Sequence, residues 1–289
     1  MTDDLECIWP LAAELGEGPV WRAAERALWF VDIKAGHIHR FDPDTGAAKH
    51  WDTPSTPGFI APTRTGWIAG LKTGLHRFDP STGGFELLAL VEDPALDNRL
   101  NDGFVDPQGR LWFGSMHDPE ATLSGALYRF DARGLARCDE GYCITNGPAI
   151  SPDGGALYHT DTLTRTIYVF DLSPDGALAN RRVFAVIEEG AGYPDGLAVD
   201  ADGCVWTGLF AGWGVRRYSP RGELLNFVRF PCANVTKIAF GGKGLTTAYA
   251  TTAWKGLTPS QREEQPLAGG LFCFSVATPG LPQQEVVHA

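Results

Sequence analysis

GHIHRFDPDTG at Gly36–Gly46 returns as GLHRFDPSTG at Gly74–Gly83 and as GALYRFDARG at Gly125–Gly134. Each copy alternates apolar and polar residues and runs into a turn rich in Asp, Pro and Gly, the pattern of a half-buried strand that ends in a hairpin. Weaker copies are TIYVFDLSPDG at Thr166–Gly176, GVRRYSPRGE at Gly214–Glu223 and GGLFCFSV at Gly269–Val276. Upstream of each copy stands a second strand with an aromatic anchor: Trp29, Trp67, Trp112, Tyr158, Trp206 and Tyr249, spaced 38 to 48 residues apart. A third strand precedes the anchor across a tight turn, as in GFVDPQGRLW, PAISPDGGALY and LAVDADGCVW. Asp and Gly tolerate the backbone angles such turns require. With the segment after each copy, every unit holds four strands.

Six such units predict an all-β chain folded as a six-bladed β-propeller, with four antiparallel strands per blade. Two sandwich domains would need a boundary, and a sixfold repeat offers none. Residues 1–289 therefore read as one domain. The sixth unit lacks a fourth strand, because two prolines break SVATPGLPQQ. The N-terminal ECIWPL has strand composition and no blade of its own, so it is expected to supply the missing outer strand.

Composition narrows the function. The 24 Lys and Arg against 35 Asp and Glu give a net charge of −11, which argues against nucleic acid or an anionic membrane as partner. No apolar run approaches the ~18 residues of a membrane span, and the acidic start MTDDLE is not a signal peptide. A cytoplasmic monomer is expected, with its six scattered cysteines reduced.

In a propeller the innermost strand of each blade lines the channel, whose ends are natural ligand sites. Counting back from the anchors, Glu17 and Asn146 lie 12 residues before Trp29 and Tyr158, and Asn101 and Asp195 lie 11 before Trp112 and Trp206. Four blades thus present a carboxylate or carboxamide at one phase. The same offset reaches Lys237 in the sixth unit and Ser55 or Thr56 in the second. Any one Asn-Gly or Asp-Gly reads as a turn, but turn chemistry does not place four of them at the same point of an inner strand. Their oxygens suit a divalent cation, and a metal site at one end of the central channel is expected. His37-x-His39 also suggests a metal pair. Yet His39 sits where His76 and Tyr128 sit in their own units, so it reads as a structural repeat position.

Four ordered stretches carry a family resemblance: LGEGPVW at Leu15–Trp21, RLNDGFVDPQGRLWFGSM at Arg99–Met116, TNGPAISPDG at Thr145–Gly154 and YPDGLAVDADGCVW at Tyr193–Trp206. Over nearly its whole length the chain resembles the senescence-marker-protein/gluconolactonase/regucalcin family, sugar lactonases built as six-bladed propellers around one divalent metal. The resemblance implies that Glu17, Asn146 and Asp195 hold the metal, that Arg99 and Asn101 contact substrate, and that Asp195 is the candidate catalytic base. It is greatest to the bacterial pentonolactone hydrolases, in particular D-xylonolactonase. That implies hydrolysis of D-xylonolactone to D-xylonate with Fe(II), while Mn, Zn, Mg and Ca remain alternatives. One departure lies at His117-Asp118-Pro119-Glu120, where the animal members carry an acidic AEE stretch. Substrate choice therefore does not carry over from those members.

Two routes fit these residues. Either Asp195 takes a proton from the attacking water, or a hydroxide held by the metal attacks and Asp195 only holds the ion. Alternatives in substrate and class are a gluconolactonase or other aldonolactonase, a calcium-binding regulatory propeller without catalysis, and a protein-binding scaffold. Lys237 reads equally as a functional residue and as a counter-charge to the channel carboxylates.

Overall fold

The computed structural model describes residues 4–72 and 74–287. Its strands form six separate four-stranded antiparallel sheets. The inner strands are Gly16–Arg22, Pro57–Pro62, Asn98–Val105, Thr145–Ile150, Tyr193–Val199 and Asn234–Gly241, which number blades one to six. This is the predicted six-bladed propeller. Among the described residues the only α-helix is Pro259–Glu264, capped by Thr258 and Gln261.

The anchors pack between blades. Trp29 meets Trp67 at 4.7 Å between ring centroids, Trp21 stacks on Tyr249 at 5.4 Å, and Trp206 meets Phe240 at 6.0 Å. The repeated Asp-x-x-Gly-x-x-Trp stretch has a mechanism of its own. Asp106 is fully buried, accepts the backbone N–H of Gln108 and Arg110, and accepts the indole N–H of Trp112 at 2.8 Å. Asp200 does the same for Asp202, Cys204 and the Trp206 indole. One carboxylate both shapes the turn and aims the anchor.

The ring closes as the N-terminal sequence suggests. Strand Glu6–Trp9 pairs with Leu271–Ser275 as the outermost strand of blade six. Trp9 then crosses to blade one, stacking on Phe41 at 5.1 Å and meeting Phe30 edge-on at 5.8 Å. The proline-broken segment after blade six forms no sheet strand. It runs instead across the far end of the channel, where Ala201 donates to Pro279 O, Val286 to Pro62 O and Val287 to Gly109 O. All six cysteines are free, including Cys138 and Cys143.

Two predictions follow from closure and burial. Deleting residues 1–10 removes the outer strand and the packing of the half-buried Trp9, and should cost about 2 kcal/mol or more, below the about 3–5 kcal/mol of a fully buried Trp. Denaturant melts of the truncated and full chains check it; coincident curves would refute the closure. The second concerns two buried histidines. Burial pushes His159 down to about 3 and His39 down to about 4, and the ring nitrogens of both lack hydrogen-bond partners. The folded state then binds fewer protons than the unfolded chain below its ordinary pKa of about 6.5. Their contribution is whole above that pH and is lost as pH falls, by about 2 kcal/mol per histidine at pH 5. His159→Leu should flatten the loss of stability between pH 7.5 and 5, measured by urea melts; an unchanged slope would contradict this account.

Candidate active site

All six inner strands share one irregularity near their N-terminal ends. Register slips between Glu17 and Val20, Pro57 and Phe59, Leu100 and Gly103, Asn146 and Ala149, Pro194 and Leu197, and Val235 and Lys237. A β-bulge re-aims a side chain out of the pleat, and repeated sixfold it turns a ring of residues toward the axis. Gly18 and Gly147, which follow Glu17 and Asn146, hold φ of 55° and 74°, values that favour glycine. The Glu-Gly and Asn-Gly pairs are therefore bulges in the inner strands and not hairpin turns.

The structure brings all five predicted site residues together. Glu17, Arg99, Asn101, Asn146 and Asp195 are buried and line one cavity of about 260 Å³ at the channel mouth. Glu120, Thr162, Tyr193, Phe210 and Lys255 complete much of its wall. Arg99 is held rigidly, donating from Nε to Asp118 Oδ1 at 2.9 Å and from a terminal nitrogen to Asn101 Oδ1. Asn101 in turn donates to Thr145 O at 2.6 Å and to Asn146 Oδ1 at 3.0 Å. Asn146 donates to Thr162 Oγ1 at 2.9 Å, and Thr162 Oγ1 donates in turn to Pro194 O at 3.0 Å. This chain fixes the orientation of the Asn146 carboxamide and spends both N–H donors of Asn101 inside the protein.

Glu17 and Asp195 lie side by side across the pocket. Burial, with Asp102 nearby, pushes Glu17 up to about 7, and burial with the Glu17 charge pushes Asp195 well above the usual carboxylate range. The cations at hand are already committed. Lys237 donates to Asp102 at 2.6 Å, Arg99 pairs with Asp118, and Lys255 pairs with Glu120. Two buried carboxylates and a carboxamide oxygen, with no cation left over among the described residues, form a hard-oxygen donor set that fits a divalent ion.

Lys237 corrects the phase count. Measured from the residue that pairs with each anchor, the sixth-blade equivalent of Glu17, Asn101, Asn146 and Asp195 is Thr236, while Lys237 is the equivalent of Asp102. Thr236 is buried and donates to Gly16 O at 2.6 Å. Lys237 lies one step deeper, beside a second cavity of about 60 Å³ at the far end, which Leu281, Pro282 and Gln283 cover. In the second blade the register slip falls at Gly58, between Pro57 and Phe59, and not at Ser55 or Thr56, and a Cβ on Gly58 would lie 2.3 Å from Leu100 O. Thr162, Glu120 and Lys255 were not singled out as site residues because they come from loops outside the inner-strand phase.

Fold and cavity define a class: a six-bladed propeller with a cavity at one mouth of the channel, lined by polar residues of the inner strands. The chain belongs to the SMP-30/gluconolactonase/LRE-like family, whose model matches residues 15–254. It is 36% identical to a 6-deoxy-6-sulfogluconolactonase of Pseudomonas putida, with 97% of each chain covered. It is 35% identical to a pentonolactonase of Haloferax volcanii, with 94% of each covered. Among solved structures, the calcium-binding protein regucalcin of Agrobacterium tumefaciens superposes with a TM-score of 0.93 at 25% identity, covering 97% of this chain and 96% of its own.

The Asp102–Lys237 pair is almost wholly buried, and removing one partner of such a pair strands the other charge. Lys237→Met should therefore cost about 3–5 kcal/mol in denaturant melts of metal-stripped protein. Lys237→Met with Asp102→Asn should recover most of it. A double variant no more stable than the single one would show that the pair is not the cause.

Proposed function

We propose that this protein hydrolyses the ring ester of an aldonolactone to the aldonic acid, with a divalent metal held by Glu17, Asn146 and Asp195. The observation that carries the reading is the uncompensated carboxylate pair beside a fixed carboxamide, at the base of a polar cavity open at one end. The family supports it, since relatives spanning the full chain are named for sulfogluconolactone and pentonolactone hydrolysis. The finer reading is D-xylonolactone as substrate and Fe(II) as metal, in a monomeric cytoplasmic enzyme. Gluconolactone, and Mn, Zn, Mg or Ca, are the alternatives the experiment below separates.

When bound, the divalent ion supplies positive charge at the lactone carbonyl oxygen, where negative charge develops as water adds. The protein supplies the rest. Asp195, buried at the base of the cavity beside Glu17, is the carboxylate placed to accept a proton from the attacking water. The water oxygen bonds to the carbonyl carbon, the ring C–O bond breaks, and the proton ends on the departing ring oxygen. Arg99, locked by Asp118 and Asn101, presents a rigid donor face to sugar hydroxyls, and such matching discriminates polar substrates sharply. Met116, Leu163 and Phe210 give the cavity apolar walls that exclude bulk water.

The test is acid release from xylonolactone and gluconolactone, corrected for spontaneous opening, by stripped protein reloaded with each metal. Asn146→Ala should lose metal and activity together. Asp195→Asn should keep metal more weakly and lose mainly kcat. Asn101→Ala should keep its metal and lose kcat/KM by about 1–3 kcal/mol, because Arg99 loses the carboxamide oxygen that holds its terminal nitrogen, a hydrogen bond to a charged group. Metal lost from Asn101→Ala but kept in Asn146→Ala would reverse the two roles, and no lactone opening with any metal would refute the function.

A further inference from the structure

The outer hairpin of blade one carries a cluster that the channel site does not use. Strand His37–Phe41 pairs with strand Ala48–Asp52 so that His37 faces Asp52 and His39 faces His50. All four side chains therefore leave the same face of one ladder. Their fates differ. His39 is buried, stacked on Phe30 at 5.0 Å and edge-on to Trp9 at 5.5 Å, so the ring is committed to the joint between blades six and one. His37 and His50 stay at the surface with ring centroids 4.9 Å apart, and His37 Nε2 lies 3.2 Å from Asp52 Oδ1. One ligand atom from each of His37, His50 and Asp52 lies within 4.8 Å of the others.

We propose that His37, His50 and Asp52 form a second metal site, selective for zinc-class divalent ions and separate from the channel. Two imidazole nitrogens and one carboxylate oxygen are a borderline-soft donor set, unlike the all-oxygen set at the channel mouth. Zinc held at about 2.0–2.2 Å by tetrahedral ligands needs its donors roughly 3.4 Å apart. Closing the present spacing takes side-chain rotations of the half-buried His37, the exposed His50 and the exposed Asp52 on two hydrogen-bonded strands. The fourth position is left to water. The pair visible in the sequence, His37-x-His39, is not the site. Strand pairing replaces His39 by two residues from the neighbouring strand.

The site is placed to clamp the outer hairpin. His37 begins its strand and Asp52 ends the other, at the same end of the blade as Glu17, with two further strands between them and the channel. Metal bound there would cross-link the two outermost strands of blade one without touching the substrate cavity.

The experiment compares metal-stripped wild-type chain with His50→Ala, Asp52→Asn and Asn146→Ala, using zinc and cobalt(II) as probes. Wild type should take up one more equivalent of zinc than His50→Ala. Its cobalt(II) form should show the strong visible absorption of a four-coordinate, imidazole-bound ion. That band should vanish in His50→Ala, weaken in Asp52→Asn and survive in Asn146→Ala. Zinc should raise the melting temperature of Asn146→Ala, and His50→Ala with cavity metal restored should open lactones at the wild-type rate. Equal zinc uptake by wild type and His50→Ala, or a cobalt band lost in Asn146→Ala instead, would overturn the proposal.

Discussion

One ion pair crosses the axis of the ring. Asp102 belongs to blade three and Lys237 to blade six, which stand opposite each other in a sixfold array, and their 2.6 Å contact joins the two sides at the centre. Asp102 also accepts the backbone N–H of Gly103 at 2.8 Å and of Gly147 at 3.1 Å, tying in blade four. The pair lies between the cavity at the mouth, lined by Glu17, Arg99 and Asp195, and the smaller one at the far end. It also consumes the lysine that would otherwise neutralise Glu17 or Asp195. The acidity of the cavity is thus a consequence of where the axis is stapled.

The bulges decide which residues that staple lies beneath. Without them, alternation would send successive inner-strand residues to opposite faces, toward neighbouring blades. With them, two consecutive residues face inward: Asn101 with Asp102 in blade three, Thr236 with Lys237 in blade six. A propeller channel thereby gains two polar tiers from one stretch of chain. The upper tier lines the cavity, and the lower one supplies the cross-axis pair.

Much of this was legible in the sequence for a physical reason. Blade architecture repeats, so the aromatic anchors, the Asp turns and the phase of Glu17, Asn101, Asn146 and Asp195 recur at regular spacing. The closing strand was legible because Glu6–Trp9 had strand composition and no partner of its own. What escaped depends on contacts between elements that no repeat links. Lys237 was assigned to the mouth because a count from Tyr249 cannot see that the strand pairing in blade six is offset by one residue. Thr162, Glu120 and Lys255 reach the cavity from loops, whose paths spacing does not determine. His50 and Asp52 join His37 only through pairing across a hairpin, while the neighbour within the same strand, His39, turns inward to the aromatic joint.

The segment that covers the far end of the channel makes the cavity a cup and not a pipe. Everything that reaches Glu17 and Asp195 arrives through one mouth and leaves the same way. Under lactone hydrolysis the guest changes character while inside: a neutral cyclic ester enters, and an open-chain carboxylate must depart. It departs past two fixed carboxylates, out of a chain carrying a net charge of −11. Once outside the mouth, the anionic product meets a chain whose net charge of −11 disfavours its return.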